Sequence, residues 1–169
     1  LFVFLFVGSI YCRCQTNAKK PFVIGETMEL QSDILHESRV LHIYLPQNYS
    51  PDSSKTYPVI YLLDGSADED FIHVAGLVQF LSFPWIQTVE ESLVVGISNV
   101  DRQRDFTFPT TIEQDRIDFP TTGHSDLFMD FLEKELIPFV ERNYKTSDRR
   151  SLIGQSLGGL LATQLLVER

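Results

Sequence analysis

The sequence has little cysteine and a shortage of basic residues. Its 169 residues include only Cys12 and Cys14, so a framework of disulfide bonds is excluded. The 14 lysines and arginines are outnumbered by 23 aspartates and glutamates, which gives a formal net charge of −9. Because phosphate recognition needs a basic face, this balance argues against nucleic acid as a main partner.

Long hydrophobic runs are also missing, and the apolar run at the N-terminus, LFVFLFVGSIY at 1–11, is short. A membrane span needs about 20 apolar residues, so we predict no stable span. The run is typical of the apolar core of a signal peptide, with small residues at the −3 and −1 positions of a cleavage site after Cys14. We therefore expect residues 1–14 to be a cleaved signal peptide and the protein to be secreted or periplasmic. A buried N-terminal strand is the alternative.

The rest of the chain has the composition and patterning of one globular domain. Apolar residues make up 43%, which excludes intrinsic disorder. Apolar runs typical of strands occupy 22–30, 39–45, 58–63, 92–97 and 150–153, and they alternate with helical patterns over 72–81, 125–144 and 156–168. This alternation predicts an α/β fold with a mostly parallel sheet and helices on both faces.

Two details of this pattern lead to further predictions. Ser125 is expected to cap the helix at 125–144, and Pro138 is expected to kink it. The polar segment 101–123 is long for a loop without secondary structure, and such loops are usually functional or disordered.

The motif that indicates chemistry is the pentapeptide GQSLG at 154–158. It follows a predicted strand and opens a predicted helix, which is the setting of a nucleophile elbow. We predict that Ser156 is the nucleophile of acyl transfer and that the backbone N–H of Leu157 stabilises the oxyanion. A glycine-rich turn that binds phosphate or only packs is the alternative.

A second oxyanion donor is expected in the loop that follows the strand at 58–63. Gly65 and Ser66 are both candidates, because either backbone N–H can turn towards the site. Asp64 is expected to orient this loop by hydrogen bonds and not to act as a base. An ordinary turn at the end of a strand is the alternative interpretation.

Four blocks of sequence resemble the "putative esterase" family of the α/β-hydrolase superfamily, which includes enterochelin and bacillibactin (siderophore) esterases and is related to esterase D. They are PVIYLLDG (58–65), VVGISNVDRQRDFTFPT (94–110), FLEKELIPFVERNY (131–144) and RRSLIGQSLGG (149–159). The resemblance implies an α/β-hydrolase fold, no metal or other cofactor, and an acyl-enzyme route through serine, an acid and histidine. Ser156 and Leu157 match its nucleophile and oxyanion positions.

The chain departs from the family pattern after Ser156. In this fold the acid and then the histidine follow the serine in the chain, yet residues 157–169 contain no histidine. The four histidines at 36, 42, 73 and 124 all precede it, and Glu168 lies about 18 Å along the following helix. We expect the acid and the histidine beyond Arg169, so that residues 15–169 are the N-terminal part of an esterase domain and are inactive alone.

The sequence therefore predicts a serine esterase acting on small-molecule acyl esters, among them siderophore-like esters. An acyltransferase with the same nucleophile and a non-catalytic binding module of this fold are the alternatives. Arg104 is a candidate contact for an acidic substrate group, although pairing with Asp105 is the preferred interpretation. No particular oligomeric state is predicted.

Overall fold

The computed structural model describes residues 19–169, so the predicted signal peptide lies outside the described residues. Its centre is a five-stranded sheet with the strand order β1-β2-β4-β3-β5. The strands are β1 (Glu26–Ser32), β2 (Glu37–Tyr44), β3 (Tyr57–Leu62), β4 (Leu93–Ile97) and β5 (Thr146–Ile153). No helix within residues 19–169 is both long and apolar enough to cross a membrane.

The sheet is mixed. Strands β4, β3 and β5 are parallel, whereas β2 pairs antiparallel with both β1 and β4. The prediction of parallel pairing thus holds for the three strands that lead to the candidate site, and the two N-terminal strands form a hairpin.

Two strands begin at other residues than the apolar runs predicted, because pairing with a neighbouring strand, and not apolar composition, sets where they start. Strand β5 begins at Thr146, four residues before the predicted start, because its polar residues pair with β3. Strand β1 begins at Glu26, opposite Ile43, and the preceding Phe22 and Val23 are exposed.

Helices cover both faces of the sheet, as the pattern predicted. They are α1 (Phe71–Leu81), α2 (Arg102–Phe106), α3 (Glu113–Asp118), α4 (Ser125–Phe131), α5 (Ile137–Asn143) and α6 (Leu157–Glu168). Every residue of β4 is buried. Leu93, Val95 and Ile97 face the core formed with α4, α5 and α6, and Val94 faces the smaller core formed with α1.

The predicted helix at 125–144 is interrupted. A π-helical turn over Leu132–Leu136 joins α4 to α5 just before Pro138, whose missing N–H disrupts the regular helical ladder. The turn carries Glu135, which accepts the backbone N–H groups of Asp33 (3.0 Å) and Ile34 (3.1 Å) between β1 and β2.

The capping role predicted for Ser125 was wrong. The N-cap position is His124, and Ser125 is the first helical residue, fully buried. The backbone N–H of Ser125 donates to the carbonyl of Thr107 at 3.0 Å, which ties the start of α4 to the end of α2. Tertiary contact therefore sets this boundary.

The segment 101–123 is also more ordered than its polarity suggested. It contains α2 and α3, and Asp101 caps α2 by accepting the N–H of Arg104 at 3.0 Å. The Thr107 hydroxyl bonds that of Thr122 and accepts the N–H of Gly123 (3.1 Å), so the two ends of the intervening loop are held together. This closed loop forms a wall of a cavity beside Ser156.

Candidate active site

Ser156 occupies a strained turn between the end of β5 and the start of α6. Its backbone has φ 53° and ψ −118°, a combination that residues with a side chain rarely adopt. The side chain is exposed. A strand, a strained serine and a helix are the geometry that a nucleophile elbow requires.

Gly154 makes this tight turn possible. A Cβ atom at residue 154 would lie 2.5 Å from both the carbonyl carbon and the carbonyl oxygen of Gly158. The first turn of α6 therefore packs directly against the end of β5. Only a glycine leaves room for that contact.

The backbone N–H of Leu157 is available to a ligand. It makes no hydrogen bond within the described part of the chain, since the first α6 bonds come from the N–H groups of Gly158 and Leu160. Leu157 is the first residue of a twelve-residue helix, whose N-terminus carries a partial positive charge. The group is therefore suited to bind an oxyanion formed beside Ser156.

The two candidates for the second oxyanion donor have different surroundings. The N–H of Gly65 donates to the carbonyl of Ile97 at 3.0 Å, so it is committed to the backbone. The N–H of Ser66 donates to Glu69 Oε2 at 3.3 Å, which is a long hydrogen bond. Its acceptor is a side chain, which can rotate away and leave the N–H to another acceptor. A glycine is needed at position 65 for steric reasons, because a Cβ atom there would lie 2.4 Å from Cα of Gly96.

Asp64 orients the loop by hydrogen bonds, as expected. Its backbone is left-handed (φ 52°), and its carboxylate accepts a bidentate pair from Arg102, Nε at 2.8 Å and Nη2 at 3.0 Å. Asn99 Nδ2 adds a bond of 2.7 Å. The carboxylate raises the pKa of Arg102, mainly through the side-chain hydrogen bond. The first residue of the 64–66 loop is thereby joined to α2.

We expect Asp64→Asn to lower the free energy of unfolding by about 1–2 kcal/mol, because the charge-assisted bonds to half-exposed Arg102 are weakened. Asparagine tolerates left-handed backbone, so the substitution tests the charge and not the turn. Urea unfolding measures the change. Asp52→Asn, at an exposed loop position, is the matched control and should change it by less than about 0.5 kcal/mol. Equal effects of the two substitutions would contradict this role.

A cavity of about 650 Å³ opens beside Ser156. Ser156, Leu157 and Leu160 form one wall, and the segment 102–122 forms the other. The residues that line the second wall are Arg102, Gln103, Thr107, Phe108, Thr110, Ile112, Asp115, Phe119 and Thr122. The volume suits a small-molecule ligand.

Arg104, a candidate substrate contact for which the sequence favoured pairing with Asp105 instead, does not line this cavity, and the pairing with Asp105 is confirmed. Its Nε donates to Asp105 (2.8 Å) and its Nη2 donates to Glu37 (2.6 Å), and these carboxylates raise its pKa. Asp105 also accepts a 2.6 Å bond from the fully buried Arg39. This ion-pair network fastens α2 to β2.

The arginine at the cavity is Arg102 and not Arg104, the candidate chosen from the sequence. Residues two apart in a helix point to opposite sides, so α2 cannot present both arginines to one cavity. That spacing was visible in the sequence, but the direction in which α2 faces was not.

None of the four histidines lines the cavity. His36 lies in the β1–β2 turn, His73 lies on the exposed side of α1, and His124 lies at the N-cap of α4. His42 lies on β2, with Nδ1 3.3 Å from Ser98 Oγ. Glu168, at the far end of α6, accepts a hydrogen bond from Gln164 at 3.1 Å. The cavity lining thus includes Ser156 and Leu157, but none of Gly65, Ser66, the four histidines or Glu168.

Within residues 19–169, no group of three or more histidine, cysteine, aspartate or glutamate side chains is arranged to hold a metal ion.

Comparison with known proteins shows similarity to esterases. The family described as "Putative esterase" matches residues 32–169. Ferri-bacillibactin esterase BesA of Bacillus subtilis is 31% identical over 170 residues, which cover 93% of this chain and 58% of BesA.

Solved structures show the same similarity. An IroE-like serine hydrolase from Shewanella oneidensis superposes with a TM-score of 0.76 at 38% identity, over 84% of this chain and 46% of that one. The BES protein from Bacillus cereus superposes with a TM-score of 0.74 at 29% identity, over 90% of this chain and 61% of that one. The chain therefore spans about half to three fifths of the length of these relatives.

Proposed function

Because the chain belongs to the "Putative esterase" family, with the α/β-hydrolase fold, we propose that it is the nucleophile-bearing part of a serine-dependent carboxylic ester hydrolase. The observation that carries the proposal is the position of Ser156. It lies in a strained turn that lines a cavity of about 650 Å³, next to a helical N–H that makes no hydrogen bond in the described residues. The family suggests the reaction, and the geometry suggests the residues.

In the proposed reaction Ser156 Oγ attacks the ester carbonyl carbon while its proton passes to a general base. The carbonyl oxygen becomes an oxyanion that accepts hydrogen bonds from the N–H groups of Leu157 and Ser66. Collapse of this intermediate breaks the bond to the alcohol, which leaves with the proton from the base. Water then attacks the acyl-enzyme with the help of the same base and regenerates Ser156.

We propose that the base and its acid lie beyond Arg169, in the order Ser, Asp or Glu, His. Two observations support this: no histidine lines the cavity, and the chain spans 58% of the length of BesA. Residues 1–169 alone should hydrolyse esters poorly, because a serine hydroxyl without a base is a weak nucleophile. The full-length protein is therefore the one to assay.

Labelling with a fluorophosphonate tests the nucleophile directly. The reagent bonds covalently to an activated serine, and trypsin should release residues 151–169 as one peptide because Arg150 precedes it. Tandem mass spectrometry should place the label on Ser156 and not on Ser151. Label on Ser151, or an unlabelled peptide from a protein that hydrolyses p-nitrophenyl acetate, would contradict the proposal.

Glu69 bonds the N–H proposed to bind the oxyanion. Its Oε2 accepts both the N–H (3.3 Å) and the hydroxyl (2.7 Å) of Ser66, so carboxylate and oxyanion compete for one donor. We expect Glu69→Gln to raise kcat by about threefold to tenfold, since a weaker, neutral acceptor is displaced more easily. Steady-state kinetics with p-nitrophenyl acetate measures the change.

Asp68→Asn is the matched control for Glu69→Gln. Asp68 accepts the Ser66 hydroxyl at 2.8 Å and does not accept the N–H, yet its substitution removes the same charge. It should leave kcat within about twofold of the unmodified protein. A kcat that is unchanged or lower in Glu69→Gln would show that Glu69 does not compete with the oxyanion.

The substrate proposed from the relatives is a siderophore-like or other acyl ester. BesA is named for a ferri-siderophore, and the chain resembles it over 93% of its length. An acyltransferase would use the same Ser156 and would pass the acyl group to an alcohol. Analysis of products formed with and without an added acceptor alcohol separates the two reactions.

We further propose that the protein is exported, because the run at 1–11 has signal-peptide character. N-terminal sequencing of the mature protein should begin at Gln15. An intact N-terminus at Leu1 would contradict export through this segment.

A further inference from the structure

We propose that Gln155 and Asp70 are a positioning pair, in which a hydrogen bond between the two side chains holds Ser156 in the orientation that attack on an ester requires. The inference rests on the proposed esterase function and involves only residues within 19–169. Neither Gln155 nor Asp70 lines the cavity, so the pair would act through Ser156 and not by contact with the substrate.

The bond joins the turn at Ser156 to the segment that follows β3. Gln155 Nε2 donates to Asp70 Oδ2 at 2.9 Å, although the two residues are 85 positions apart in the chain. Within residues 19–169 it is the one hydrogen bond made by a side chain of the pentapeptide at 154–158. Its acceptor is charged, which makes the bond stronger than one between neutral groups.

The carboxylate of Asp70 has no other role in the described part of the chain. Asp70 lies at the N-cap of α1, where an aspartate usually accepts an N–H of the first helical turn. It makes no such bond, and its own backbone is helical, with φ −85° and ψ −7°. An aspartate that leaves its helix uncapped and bonds the residue before the proposed nucleophile points to a role at that turn.

The turn at Ser156 needs contacts that maintain it. A positive φ of 53° is unfavourable for a residue with a side chain, so the surroundings have to hold it. Gly154 and the first turn of α6 provide one such contact through their close packing. The carbonyl of Gln155 accepts the N–H of Gly158 at 2.9 Å. With the bond to Asp70, the residue before Ser156 is fixed through both its backbone and its side chain.

The segment joined to this turn also carries the candidate oxyanion donor Ser66. The N–H of Asp70 donates to the carbonyl of Asp64 at 3.1 Å, so the two ends of the segment 64–70 are tied together. Asp64 in turn packs against α6, since a Cβ atom at Gly158 would lie 3.3 Å from its Oδ2. The pair therefore connects the proposed nucleophile with the loop that holds Ser66, and its loss should loosen their relative positions.

Gln155→Ala removes the bond without changing any charge. In the full-length protein, with p-nitrophenyl acetate, we expect kcat to fall by about fivefold to tenfold and KM to stay within about twofold, because a displaced nucleophile affects the transition state more than substrate binding. The rate of fluorophosphonate labelling should fall by a similar factor. With kcat calculated per labelled molecule, a merely structural role would lower the labelled fraction and leave both rates unchanged.

Exchanging the two groups provides a rescue. Gln155→Glu places two carboxylates opposite each other and should lower kcat at least as much as Gln155→Ala. Combining it with Asp70→Asn restores a donor and an acceptor, because the asparagine amide can donate to the new carboxylate. The pair then carries the same net charge as in the unmodified protein, with the bond reversed. We expect kcat of this double variant to return to within about threefold.

Gln114→Glu is the matched control. Gln114 Nε2 donates to Asp118 Oδ1 at 3.0 Å on α3, so the substitution breaks a bond of the same type at an exposed position outside the cavity lining. It should leave kcat within about twofold. Equal kcat values for Gln114→Glu and Gln155→Glu, or no recovery when Asp70→Asn is added, would overturn the inference.

The outcomes separate this inference from the proposed function. If Ser156→Ala hydrolyses p-nitrophenyl acetate at the unmodified rate, the serine esterase itself is refuted. If hydrolysis depends on Ser156 but Gln155→Ala and Gln155→Glu keep the unmodified kcat, the esterase stands and the positioning pair is refuted.

Discussion

Replacing Ser156 with alanine is expected to lower kcat for p-nitrophenyl acetate by at least about 10³-fold in the full-length protein. The substitution removes only the Oγ atom that we propose attacks the carbonyl carbon. The N–H of Leu157, the cavity and the packing of α6 stay in place, so KM should change far less than kcat. Product release measured at 405 nm gives both constants.

Ser151→Ala is the control for this experiment. Ser151 is an exposed residue of β5, five positions before Ser156 and outside the cavity lining. Its substitution should leave kcat within about twofold. Circular dichroism of both variants checks that the fold is intact. Equal turnover by Ser156→Ala and the unmodified protein would exclude Ser156 as the nucleophile.

The largest effect on stability is expected from Gly154→Ala. The added Cβ would meet the carbonyl group of Gly158 at 2.5 Å, and both partners are backbone atoms that cannot rotate away. Either β5 or the first turn of α6 must move, at a cost of about 3 kcal/mol or more. Because Ser156 lies between these elements, the same displacement should also lower kcat.

Gly76→Ala shows whether the effect depends on the site and not on glycine substitution in general. Gly76 lies in α1, and a Cβ there would have no neighbour within 4 Å. Alanine is the better helix former, so stability should rise by about 1 kcal/mol. Urea unfolding of the two variants should therefore give changes of opposite sign. A Gly154→Ala protein as stable as the unmodified one would mean that the turn is not as tight as described.

Both predictions depend on the strand–turn–helix unit that carries Ser156, and local sequence was sufficient to predict that unit. Strand, turn and helix are consecutive there, so the pentapeptide at 154–158 and its apolar flanks contain nearly all the information that shapes the turn. The strand β4 and the helix α1 were predictable for the same reason, because apolar runs and helical spacing are properties of neighbouring residues.

Predictions failed or stayed open where contacts between segments distant in the chain determine the local structure. The capping of α4 depends on the carbonyl of Thr107, and the start of β5 depends on pairing with β3. The π turn before Pro138 brings Glu135 to the β1–β2 turn, which is about one hundred residues away in the chain. Such contacts leave no periodic signal in the sequence.

Contacts between distant segments also determine which of the candidate residues faces the cavity. Local sequence was enough to predict the α/β class, the turn at Ser156 and the loop at 64–66, because each follows from consecutive residues. Only the packed fold commits the Gly65 N–H to Ile97 and turns Arg102 rather than Arg104 to the cavity. Those distinctions depend on the direction in which a group points once β4, α2 and the 64–70 segment are packed together.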